Sequence, residues 1–135
     1  MLLVFSLSTA FAASNPPQPT VTVEGKIIPT VRGSFCWPLV PSGDPLCVDV
    51  SSPMDIVKDQ IPVVVPRGSK AAIQFEEKPQ KLIVSQWIGG KPVTQPFMED
   101  NTIALPRKAG VYLYEIDAGW KDGGASYAFV IEVRE

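Results

Sequence analysis

The sequence predicts an all-β protein, an antiparallel β-sandwich of about seven to nine short strands carrying one local disulfide. Three observations point to it. Every ordered segment alternates with a period of two, and none sustains the period of a helix. Turn signals rich in Gly, Pro and Asp separate these segments at intervals of about 8–12 residues. Both cysteines, Cys36 and Cys47, fall within GSFCWPLVPSGDPLCVDV, where Pro38, Pro41, Pro45 and Gly43 exclude regular helix and central strand.

Composition bounds the rest. With 135 residues the chain has room for one domain with a real core. Hydrophobic residues make up 45% and charged residues 19%, a globular balance that argues against disorder. Twelve basic and fourteen acidic residues leave a net charge of −2. The basic residues are scattered, with no run longer than Arg107-Lys108. A nucleic-acid groove needs a concentrated positive field, so nucleic acid is not an expected partner.

The elements follow in order. Residues 1–12, MLLVFSLSTAFA, form a short apolar stretch ending in Ala10-Phe11-Ala12 and read as a signal peptide. The stretch is too short for a transmembrane helix, which takes about 20 apolar residues. No Lys or Arg precedes it, so the signal is expected to be truncated at its start. The polar, proline-broken segment that follows favours export over a buried N-terminal strand. Residues 13–20 then read as a proline-rich tether, and residues 21–135 as the sandwich domain. No cysteine stands at the cleavage position, so no lipid anchor is expected, and nothing further along is apolar enough to cross a membrane.

Export implies an oxidising compartment, where thiols eleven positions apart readily pair. A Cys36–Cys47 disulfide closing that loop contributes about 2–3 kcal/mol. Redox exchange motifs keep two residues between their cysteines, and two Cys without any His fall short of a metal set.

Strands are expected over Thr20–Val23 and Lys26–Val31 around the Glu24-Gly25 turn, then at Ser34–Trp37 and Leu46–Val50 flanking the stapled loop. Ser52 to Lys58 suits one helical turn, with Ser52 as cap and Pro53 at the first position. Val63-Val64-Val65 between two prolines belongs at a sheet edge or in an extended loop. Lys70–Phe75, Leu82–Trp87 and Thr102–Leu105 continue the series. In VYLYEIDAGW, Val111 to Trp120, the even positions are apolar and Glu115 and Asp117 face water. Ala125 to Val133 repeats the pattern on odd numbers. Asp122-Gly123 between them signals a hairpin, on the ground that glycine accepts positive φ.

LPRKAGVYLY, Leu105 to Tyr114, resembles the corner leading into strand F of an immunoglobulin-like domain, with Tyr112 as the corner tyrosine. The two cysteines are too close for the inter-sheet bridge of antibody domains, so an antibody-type domain is excluded. A second resemblance spans most of the chain. Arg32-Gly33-Ser34-Phe35-Cys36-Trp37, Cys47-Val48-Asp49 with Pro53, Ile73-x-Phe75, Gly110-x-Tyr112-x-Tyr114 and Ala118-x-Trp120 resemble small exported proteins of Gram-positive bacteria, many of them lipoproteins. That resemblance implies an extracellular or cell-envelope location and the sandwich fold, and it implies no activity.

The chemistry is restricted. With no histidine, Ser–His–Asp triads and Cys–His dyads cannot form, so no enzyme is expected. Two carboxylate pairs remain to weigh, Asp44 with Asp49 and Asp117 with Asp122; Asp117 on a wet strand face reads as plain solvation. Neither a metal nor a cofactor is expected. Recognition is left. Trp37 either covers the disulfide and fills the sandwich or stands out as a binding anchor; Trp87, in phase with Ile83 and Ser85, reads as core; Trp120 is either core or a loop-end contact. Arg32 is expected to pair with Asp49 beside the disulfide. The expected function is a non-catalytic binding module for an extracellular protein or a cell-wall polymer. Its candidate contacts are Trp120, Lys121 and Asp122, with Trp37 at the mouth of the stapled loop and Arg32 beside the disulfide. A loop-based inhibitor of extracellular proteases is the alternative, since a stiffened proline-rich loop is preorganised for a cleft.

Overall fold

Alternating strands with one apolar face must bury that face against a second layer, and here two sheets close on each other. The computed structural model describes residues 15–38 and 43–134. The expected signal peptide, the start of the tether and residues 39–42 of the stapled loop lie outside the described residues.

The smaller sheet has four strands: β1 (Pro19–Val23), β2 (Lys26–Ile28), β6 (Lys70–Phe75) and β9 (Thr102–Ala104), in the order β2-β1-β6-β9. The larger has seven: β3 (Val31–Pro38), β4 (Pro45–Val48), β5 (Val63–Val65), β7 (Lys81–Ile88), β8 (Lys91–Gln95), β10 (Gly110–Gly119) and β11 (Gly124–Val133). Their order is β4-β3-β11-β10-β7-β8, with β5 added alongside β11. The chain crosses between sheets from β2 to β3, β5 to β6, β6 to β7, β8 to β9 and β9 to β10, and the last three crossings are the immunoglobulin-like pattern. Pairing is antiparallel except for β5, which runs parallel to the second half of β11 while β3 covers the first half. The valine run therefore seals a strand edge, as its flanking prolines require.

β8 is the one strand that the residue pattern does not announce. It carries Pro92 and is almost wholly exposed, both compatible only with an edge position. Its hairpin with β7 turns through Gly89-Gly90, both at positive φ (60° and 80°), whose twist matches that of the flanking strands.

The core forms where the predicted phases of β10 and β11 meet. Tyr114, Ile116, Tyr127, Phe129 and Ile131 are fully buried, and Tyr114 stacks on Phe129 at 5.1 Å. Such aromatic pairs add about 0.5–1.5 kcal/mol beyond their buried area. The corner tyrosine is in place, with the Tyr112 hydroxyl donating to the Lys108 carbonyl at 2.6 Å.

Cys36 and Cys47 face each other across the β3–β4 ribbon and are joined by a disulfide. The short helix α1 (Pro53–Ile56), with proline at its start, lies over the outer face of the larger sheet against β3, β10 and β11. The proline segment is docked rather than free. Pro16 and Pro19 are buried, and the Tyr127 hydroxyl donates from the core to the Pro17 carbonyl.

Candidate functional site

The loop end singled out by the sequence closes into an aromatic cluster. Trp37 and Trp120 meet edge to face at 5.7 Å, so the two loops share one end of the sandwich. Phe75 packs on Trp120 at 5.1 Å, and the Trp120 indole donates to the Glu77 carbonyl at 2.8 Å. Both tryptophans are core residues, at 6% and 8% exposure. Trp37 does not cover the disulfide either. Neighbours along a strand point to opposite faces, so Trp37 turns inward while Cys36 is exposed on the outer face. Lys121 and Asp122 are exposed at the turn, and Asp122 lines a recess with Trp37, Glu76, Glu77 and residues 15–18.

Arg32 does not pair with Asp49. A bulge sets two residues of β3, Gly33 and Ser34, against one of β11, Ser126. Arg32 thereby lies opposite Tyr127, with its guanidinium 4.4 Å from the centre of the Phe35 ring. Asp49 lines the outer face, beyond reach. Among the described residues the ion pair is Arg134 with Glu132, at the surface.

A different site takes shape on the outer face of the larger sheet. The outward phase of β10 carries Glu115, Asp117 and Gly119; on either side stand Ser85, Ile83 and Lys81 of β7, and Ala128, Ser126 and Gly124 of β11. The β3–β4 ribbon adds Ser34, Cys36 and Asp49 along one wall, enclosing a recess of about 600 Å³. Its floor is bare because Gly119 and Gly124 sit side by side. Neither has a left-handed φ, and a Cβ on Gly119 would meet only the Lys81 Cβ, at 3.6 Å. That position has room for a side chain and lacks one.

Three carboxylates and one ammonium line this recess. Partial burial raises the Glu115 carboxyl above its ordinary range; the Trp87 indole, donating at 3.0 Å, pulls it back, and the Asp117 charge pushes it up again. Asp117 is exposed as a residue, yet the surrounding sheet desolvates its carboxylate enough to raise it, against the pull of Lys81. Of the pairs considered from sequence, Asp117 with Asp122 is not assembled: Asp117 belongs to this face and Asp122 to the recess at the loop end.

Trp87 is half-buried on this outer face, not in the core. Its phase with Ile83 and Ser85 is right, but the core phase of β7 is Leu82, Val84 and Gln86, which pair with Ala118, Ile116 and Tyr114. The signal lay in the charges: Lys81 on one strand and Glu115 and Asp117 on another mark their outward phases, and Trp87 shares the phase of Lys81. No protein-family model, curated protein or solved structure matches the chain.

Proposed function

We propose that the protein is an exported, non-catalytic binding module, and that the recess on the outer face of the seven-stranded sheet takes a cationic, hydrogen-bond-donating group of its partner. The observation that carries the reading is the pair of partly desolvated carboxylates, Glu115 and Asp117, over a floor kept bare by Gly119 and Gly124. Carboxylates held out of water regain the lost solvation when a cation reaches them. Lys81 offers Asp117 only a partial return, since the two make no ion pair.

Binding is favoured over hydrolysis by geometry. Glu115 and Asp117 project from one strand toward the same side, whereas a glycosidase sets its two carboxyls across a scissile bond. Glu115 is further engaged by the Trp87 indole. The disulfide fits an oxidising location, so the partner is an extracellular protein or an amine-bearing polymer of the cell envelope.

Chemical-shift mapping of the oxidised protein with a trilysine peptide tests the site. Saturable shifts are expected at residues 115–119 and 124–126, weakened by salt, by Asp117→Asn and by Gly119→Val, which plugs the floor. Retention on isolated cell envelopes should fall with the same two variants. Shifts confined to residues 120–123, or retention indifferent to both substitutions, would refute the assignment.

A further inference from the structure

The two sheets do not match in width, and the mismatch leaves the core open at one flank. β9 has three residues and pairs with β6 only as far as Ala72, so among the described residues the edge of β6 from Ile73 to Phe75 has no strand partner on that side. Among the described residues no strand of the smaller sheet follows β9 to cover β7 and β8. The connection from β8 to β9 fills part of the gap, folding Phe97 over it as a half-buried plug. Behind this plug is an opening of about 500 Å³, within the range of small-molecule sites.

Its walls are Ile73, Phe75, Leu82 and Phe97, and the last three are half-buried members of the core margin. The rim is polar, with side-chain amides from Gln80 and Asn101 and one charged group, the Lys78 ammonium. Glu76 and Glu77, which share the β6–β7 connection with Lys78, line the recess at the loop end instead, and Asp100 lines another beyond β9. The opening thus has an apolar interior and a single positive charge at its mouth.

We propose that this inter-sheet opening binds an amphiphile with one unbranched or aromatic apolar body and one anionic head, the body seated among Phe75, Leu82 and Phe97 and the head at Lys78. The site is separate from the outer-face recess and shares no residue with it. Burial of the apolar body drives the binding, and the head sets orientation. Phe97 comes from a connection rather than a strand, so it is the element that must shift to admit the ligand.

The test compares decanoate with decanol, both below their aggregation limits, by chemical-shift titration of the oxidised protein. Decanoate is expected to give saturable shifts at Phe75, Leu82 and Phe97 and to bind more tightly than decanol. Lys78→Gln should weaken decanoate by roughly two- to fivefold and leave decanol unchanged. Gln80→Trp, at an exposed rim position, should block both probes while the circular dichroism spectrum stays that of the parent. Shifts that never saturate, shifts at residues 115–119 instead, or equal affinity for the two probes would each overturn the proposal.

Discussion

Two tyrosines on β10 receive the same substitution and are expected to answer with opposite signs. Tyr112 donates its hydroxyl to the Lys108 carbonyl at 2.6 Å, holding the corner that leads from β9 into β10. The bond is near the surface, so in Tyr112→Phe the freed carbonyl is hydrated and the loss is that of one ordinary hydrogen bond, about 1 kcal/mol. Tyr114, two residues on, is fully buried against Phe129, and no group among the described residues pairs with its hydroxyl. Burial also raises its ionisation well above the ordinary tyrosine range. An unsatisfied buried hydroxyl costs about 1–3 kcal/mol, and a phenyl ring keeps the stack while giving up little volume. Tyr114→Phe is therefore expected to stabilise by about 1 kcal/mol. In a domain of this size each change corresponds to roughly 4 °C, one down and one up. Urea melts with the disulfide intact give both values, read from midpoints at constant slope. Loss of stability in Tyr114→Phe would refute the reasoning, because it would mean that an internal water satisfies the hydroxyl.

Three further outcomes are expected. Replacing Cys36 and Cys47 by Ala removes a closed loop of separation 11, and a urea melt should show a loss of about 3 kcal/mol with the sandwich still folded, since the bond staples an edge ribbon outside the core. Gly123→Ala should cost more than about 2 kcal/mol in thermal melts, because the new Cβ would collide with the Cys36 backbone carbonyl and press on the Trp37 ring at 3.1 Å. Asp117→Asn should stabilise at pH 7 by less than about 1 kcal/mol after solvent screening. The sign follows from its raised carboxyl: the folded form holds its proton more tightly than the unfolded chain, so stability falls as pH rises through that range. The gain should vanish below pH ~3.5, where the acid is protonated in both states; a variant no more stable at pH 7 would count against a desolvated carboxylate.

The glycine at position 123 shows how a correct expectation can rest on a different cause. Asp122-Gly123 marks the hairpin turn as predicted, yet Gly123 has no left-handed φ. Its lack of a side chain clears the passage of the β3 backbone, a contact between residues 87 positions apart (123 − 36). Local pattern carries conformation; it carries no information about which distant backbone will pass close by.

The same division runs through the whole molecule. Period-two alternation, prolines and the Tyr112 corner determined the strands other than β8, their inward phase on β10 and β11, and the pairing of the two cysteines, because each depends on residues near one another in the chain. Which phase of β7 is inward depends on its register against β10, and so the outer-face position of Trp87 was decided only in the tertiary structure. The bulge that turns Arg32 from Asp49 toward Phe35, and the joining of Glu115, Asp117 and Lys81 over a bare glycine floor, arise from lateral strand order. Lateral order is fixed by how two unequal sheets bury one core, a property that no single segment contains.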